Sequence, residues 1–137
     1  MKIFETTFII IFFSLYTACD RPNCKNTNPI FEQFSPESNE YKSELSNQIA
    51  LIGFENLNFW FDKYLKSKDK EYIEIYVQND SVCAKATLEV KDWSKIEGLR
   101  KENNGYRGAK LIGLKWKTGR VGNEVNFIYI DIDKIED

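Results

Sequence analysis

The sequence predicts an α+β domain: an antiparallel sheet of about five strands with an amphipathic helix packed on one face, in the order α-β-β-β-α-β-β. Three observations predict it. Tyr41, Leu45, Ile49 and Ile52 recur at the spacing of one helical face. From residue 57 to residue 90 the apolar period changes to two, broken by short polar clusters. Two further alternating stretches, 109–116 and 125–132, flank a glycine-containing segment at 118–123. A chain of 137 residues, 42% hydrophobic, suits one compact domain. Its ten Phe, seven Tyr and three Trp supply enough apolar surface to offset chain entropy, which argues against general disorder.

In chain order, residues 1–18 read as a secretory leader. Lys2 precedes an apolar run from Phe8 to Phe13, and the small residues Thr17 and Ala18 precede Cys19. The apolar stretch over 6–18 is shorter than the roughly 20 residues a helix needs to cross a bilayer core. Residues 19–34 are rich in Asn, Asp and Pro without periodicity and read as a tether. Ile30, Phe31 and Phe34 are expected to lie against the domain, because leaving them in water is costly. One α+β domain is expected over 35–137.

Ser35 as cap, Pro36 in the first turn and Glu37 at the positive end of the dipole predict the helix start. Gly53 predicts its end. Leu57, Phe59 and Phe61 alternate with Asn58, Trp60 and Asp62 in a first strand, with Trp60 and Tyr64 on one face. The polar turn 66–70 leads to a second strand, in which Ile73, Ile75 and Val77 alternate with Tyr72, Glu74 and Tyr76. Asn79, Asp80 and Ser81 turn the chain into a third, carrying Val82, Ala84, Ala86, Leu88 and Val90. Asp92 is placed to cap a second, shorter helix holding Trp93, Ile96 and Leu99, which ends near Asn104 and Gly105. Residues 109–116 read as a fourth strand and 118–123 as a hairpin loop. The fifth, 125–132, has Ile128, Ile130 and Ile132 on one face and Phe127 and Tyr129 on the other, which is expected to face away from the first helix.

Composition narrows the chemistry. The chain has no histidine, which excludes Ser-His-Asp and Cys-His catalysis, His-ligated zinc and a histidine pH switch. A net charge of −2 gives no electrostatic footprint for nucleic acid. The glycines form no phosphate or dinucleotide loop. No catalytic residue, metal ligand or small-molecule cofactor is therefore expected.

The candidate sites are few. Cys24 and Cys83 are a candidate disulfide. The alternative is a small buried cysteine at 83 and a free thiol at 24. Asp131 and Asp133 could serve a calcium site or an acid/base pair, against the simpler reading of a solvated strand end. The segment from Gly105 to Gly108 sets Tyr106 and Arg107 between two glycines. These residue types are enriched at binding hot spots, against the simpler reading of a helix-to-strand connection with Tyr106 covering the core edge and Arg107 solvated. Trp60, Tyr72 and Tyr76 would face away from the first helix, to be covered by the second helix and tether or by a partner. Lys110, Lys115, Lys117 and Arg120 read as a solvated basic rim, with binding of phosphate or of an acidic partner as the minority option.

The segment Leu15-Tyr16-Thr17-Ala18-Cys19 looks like a bacterial lipobox, with Tyr16 standing where that family usually has leucine. Together with SPESNEYKSEL and GYRGAKLIGLKW, it makes the chain resemble small lipoproteins of Gram-negative bacteria of the Bacteroidota type. The resemblance implies cleavage before Cys19 and lipid on its thiol. It also implies an envelope location, the outer membrane foremost, and carries over no activity. The expected function is a lipid-anchored, non-catalytic protein-binding or immunity-type module. The alternatives are a structural or assembly component of an envelope complex and a carboxylate-based hydrolase using Asp131 or Asp133 across a cleft.

Overall fold

The structure, a computed structural model, describes residues 29–101 and 105–136. The leader, Cys19, Cys24 and most of the expected tether lie outside the described residues. A short helix α1, Ile30–Gln33, opens the described chain and docks Phe31 edge-on against Tyr41, with ring centroids 4.9 Å apart. Phe34 departs from expectation and remains 40% exposed.

Helix α2 spans Asn39–Ile52. Its cap is Ser38, not Ser35: the Ser38 hydroxyl accepts the Tyr41 N–H at 3.3 Å. Ser35, Pro36 and Glu37 form the preceding turn, where Ser38 N–H donates to the Ser35 carbonyl. The start is shifted because this sequence offers two serines at capping distance, and the later one reaches the orphan amide. Tyr41, Leu45 and Ile49 are buried along the predicted stripe. Gly53, at φ +88°, ends the helix as expected, and a 3-10 turn over Phe54–Asn56 follows.

Seven strands follow: β1 Asn58–Ser67, β2 Lys70–Gln78, β3 Cys83–Glu89, β4 Lys110–Ile112, β5 Lys115–Val121, β6 Glu124–Asp131 and β7 Lys134–Glu136. The mixed helix and sheet content agrees with the predicted class, but strand number and order do not. The single sheet has the order β5-β6-β3-β2-β1-β4-β7. The β1-β2-β3 meander is antiparallel as expected. The join between β3 and β6 is parallel, at Glu89 and Ile128.

The extra strands come from one break. Gly113, at φ +73°, interrupts the expected fourth strand. The part before it, β4, pairs with β1, while the part after it, β5, pairs with β6. Three peptide links reach at most about 11 Å, yet β4 and β5 lie toward opposite ends of the strand order. The sheet must therefore curl until its two edges approach. An aromatic cluster fills the closure: Trp116 of β5 lies 5.5 Å from Phe59 of β1, 5.3 Å from Phe54 and 5.7 Å from Phe127 of β6.

Curling also settles which face of β6 is inside. Val125, Phe127 and Tyr129 are buried, whereas Ile130 is 50% exposed. This reverses the expected face of that strand. Ile132 is buried only because it lies beyond the strand end. Aromatic rings that would crowd the outside of a flat sheet become the lining of a rolled one.

Helix α2 seals a seam instead of covering a flat face. Where β3 and β6 diverge, each has an amide facing the helix. Tyr41 Oη accepts the Lys85 N–H at 2.7 Å, and Asn39 Oδ1 accepts the Val125 N–H at 3.3 Å. The second helix, α3, spans Glu97–Lys101, later than predicted. Asp92 accepts the Ser94 N–H at 2.9 Å in a local turn instead of capping the helix. Ile96 and Leu99 nevertheless enter the core.

Candidate functional site

The most distinctive chemistry lies on the outer surface of β1, β2 and β3, and it begins with a β-bulge. Phe61 pairs with Ile75, and Lys63 pairs with the adjacent Glu74, so Asp62 has no cross-strand partner. The extra residue flips the alternation. Tyr64 therefore pairs with Ile73 and turns inward, away from the Trp60 face on which the sequence pattern placed it. Trp93 meets Tyr64 edge-on at 5.6 Å, and the Tyr64 hydroxyl donates to Glu71 at 2.8 Å. Arg100 Nε also reaches Glu71, at 2.9 Å. Trp93 and, from the second helix, Arg100 thus close over Tyr64 and its partner Glu71 on the inner face.

The loop before β4 docks on the bulge. Gly108, at φ +86°, donates its N–H to the Phe61 carbonyl at 2.7 Å, and Phe61 N–H donates to the Ala109 carbonyl at 2.8 Å. Glycine at 108 permits that positive φ. Docking sets Arg107 over the bulge, where its Nε donates to Asp62 Oδ1 at 3.1 Å. Tyr106 turns the other way. It is half-buried, packs against the core and lies over Gly98, where an added Cβ would meet its ring at 3.3 Å. The two neighbours singled out by the sequence are thereby separated: Arg107 faces out and Tyr106 packs in.

Asp62 and Glu74 are the two buried charged residues of the described chain. Lys85 of β3 bridges them, ion-paired to Glu74 and 4.0 Å from Asp62 Oδ2. The result is a charge-balanced row, Arg107–Asp62–Lys85–Glu74, across the sheet. Its carboxylates are sheltered and its cations lie nearer water: the Arg107 side chain is 47% exposed and that of Asp62 6%. Aromatic faces flank the row. Lys85 Nζ sits 5.8 Å from the Tyr76 ring centre and Lys110 Nζ 5.9 Å from that of Trp60. Tyr72 and Glu74 also line a concavity of about 540 Å³ of mixed character, with Leu65 and Phe127 beside Glu37, Lys42 and Glu89. Trp60, Tyr72 and Tyr76 are all half-buried, so the row and its aromatic neighbours make a continuous half-open surface.

This geometry can hold a guanidinium in one place. Only Nε of Arg107 contacts Asp62, and among the described residues its terminal nitrogens have no ion-pair partner. A fixed guanidinium with free terminal nitrogens suits a carboxylate or a peptide carbonyl. Asp62, which the sequence reading did not single out, is what fixes it. The signal was an acidic residue at an apolar-strand position, next to a phenylalanine that is itself buried.

The remaining candidates fall elsewhere. Asp131 is ion-paired to Lys95 at 2.5 Å and accepts its own following amide, that of Ile132, at 2.9 Å. These contacts hold its carboxyl below the usual range, the Lys95 hydrogen bond being the larger cause. Asp133 sits in the turn after β6, beside Gly113, so the pair does not project from one strand face. Neither lines the concavity on β2 or the two beside Phe54. Cys83 is buried and disulfide-bonded; Cys19 and Cys24, the other cysteines of the chain, lie outside the described residues. Among the described residues no helix is long and apolar enough to cross a membrane. Comparison with protein-family models, curated proteins and solved structures finds no match.

Proposed function

We propose that the chain is a non-catalytic protein-binding module of the bacterial envelope, of the immunity or inhibitor type, anchored by lipid on Cys19. The observation that carries the binding reading is the held Arg107. Its guanidinium is ordered by buried Asp62 and half-open to solvent, in a charged row whose Lys85 lies beside Tyr76. An arginine ordered before contact loses less entropy on binding than a free one, and arginine and aromatic groups dominate hot spots. The anchor reading rests on the lipobox-like residues 15–19. A disulfide at Cys83 supports an oxidising compartment.

The test is cross-linking of the full chain in its own envelope, comparing the native protein with Arg107→Glu. A stoichiometric partner lost by more than tenfold with Arg107→Glu supports the reading. No partner in several growth states, or one indifferent to Arg107→Glu, overturns it. Fatty-acid labelling that persists in Cys19→Ala would overturn the anchor separately.

A further inference from the structure

We propose that the free edge of β5 is a docking site for an extended, acidic-apolar segment of a partner protein, which adds as an eighth strand. This surface is separate from the Arg107 row and does not depend on it.

Among the described residues β5 pairs only with β6 and ends the strand order. The hairpin register shows which backbone groups that leaves outward. Only Gly122 and Asn123 lie between Val121 and Glu124, so Val121 and Glu124 form a hydrogen-bonded pair. Alternation then pairs Gly119 with Asn126 and Lys117 with Ile128 in the same way. Thr118 and Arg120 are left to aim their N–H and C=O away from β6. The opposite strand follows the same rule: Val125, facing Arg120, turns its N–H away from β5 and gives it to Asn39. Thr118 and Arg120 have no such recipient among the described residues, and both are exposed. The edge is a ladder of donors and acceptors ready for another strand.

The two sides of this edge differ in chemistry. On the inner side, Ile49 and Ala50 of α2, Phe54 and Trp116 supply the apolar part of a groove of about 260 Å³, completed by Ser46 and by Lys117 and Thr118 of β5 itself. On the outer side, Lys115 and Lys117 are exposed. Lys115 has Asp131 across from it, whereas Lys117 faces Ile128. Arg120, opposite the buried Val125, is an exposed cation on the inner side at the turn end of the edge. A strand alternating apolar and acidic residues matches both sides at once: the apolar set enters the groove and the carboxylates meet the lysines. A second copy of this chain is the poorer occupant: Lys115–Val121 carries three cations and no acidic residue, so a second β5 brings like charge and no carboxylate to this edge.

The test titrates the purified full chain in detergent with an eight-residue peptide alternating glutamate and valine. A lysine–valine counterpart is the control. Fluorescence anisotropy reads binding, and amide hydrogen exchange reads the edge. Expected are at least tenfold tighter binding of the glutamate peptide and slowed exchange at Thr118 and Arg120. Thr118→Pro, which removes one outward donor, and Lys117→Glu, which reverses an exposed charge, should each weaken binding at least tenfold. Lys117→Glu carries the test if Thr118→Pro does not fold. Equal binding of the two peptides, unchanged exchange at Thr118 and Arg120, or binding indifferent to Lys117→Glu overturns the proposal. So does a dimer of the native chain that Thr118→Pro or Lys117→Glu dissociates, because the occupant would then be a second copy.

Discussion

Arg107 Nε lies 3.1 Å from Asp62 Oδ1, joining a side chain that is 47% exposed to one that is 6% exposed. The asymmetry fixes what each deletion does. In Arg107→Ala, Asp62 is left buried with Lys85 at 4.0 Å as its remaining cation. That variant should lose roughly 1–3 kcal/mol, more than the 0–1 kcal/mol typical of a surface ion pair. Asp62→Asn removes the buried charge and lets Arg107 turn to water. The double variant should therefore cost less than the sum of the singles, by about 1 kcal/mol. Urea unfolding of the four proteins measures it. Strict additivity would reduce the contact to a solvated pair and remove the basis for an ordered guanidinium.

Tyr41 links the helix to β3 and makes the domain sensitive to alkali. Burial pushes its phenol up to about 12 from the ordinary 10, against the opposing hydrogen bond from the Lys85 amide. Between those values the unfolded chain releases the phenol proton and the folded chain keeps it. Stability is thus whole below pH 10 and falls as pH rises toward 12, at about 1.4 kcal/mol per unit for this group. Tyr129, also raised by burial, steepens the same limb. Tyr41→Phe should flatten the alkaline slope. At neutral pH it should cost about 1–3 kcal/mol, because the Lys85 N–H loses its acceptor. Thermal unfolding across pH 8–12 reads both effects (the window follows from Tyr41). An unchanged slope in Tyr41→Phe would show that other groups set the alkaline limit.

Gly113 and Gly122 separate backbone strain from crowding. Both have positive φ, +73° and +62°. A Cβ at 122 meets open space, whereas one at 113 would sit 2.1 Å from Asp133 Oδ2 and 2.9 Å from Asp133 Cβ. Gly122→Ala should cost about 1 kcal/mol, the strain alone. Gly113→Ala should cost clearly more, and Asp133→Gly in the same chain should recover the difference. Equal losses in the two single variants would mean that the Asp133 turn shifts freely. The break between β4 and β5 would then owe nothing to its packing.

Local chemistry was legible in the sequence wherever neighbouring residues decide the outcome. The stripe Tyr41, Leu45, Ile49 ends at Gly53, and Asn79 accepts the Ser81 and Val82 amides in the expected turn. What escaped depended on distant partners. Periodicity through 109–116 gives no sign that Gly113 must send β5 to the far edge, because the destination is set by pairing with β6. The inward face of β6 follows from the curl, so Phe127 and Tyr129 could not be placed from alternation alone. In β1, strict alternation fails at one inserted residue, Asp62, and every side chain after it changes sides. The same insertion builds the charged row, so the departure from pattern and the candidate site share one cause.

Cys83 supplies the test that ties location to covalent structure. It is disulfide-bonded, and the chain offers Cys19 and Cys24 as partners. A sulfur carrying a diacylglycerol thioether has no bond left for a disulfide, so lipid on Cys19 requires the Cys24–Cys83 linkage. That bridge closes a loop of about 60 residues, worth roughly 4 kcal/mol by chain entropy when unstrained. Non-reducing peptide mapping of the membrane-extracted protein should find Cys24 joined to Cys83 and a lipidated N-terminal Cys19. Cys83→Ala should lower stability by several kcal/mol, and Cys24→Ala by the same amount, because either variant removes the same bridge. A Cys19–Cys83 peptide would remove the lipid anchor outright, while leaving the curled sheet, the Arg107 row and the β5 edge as they stand.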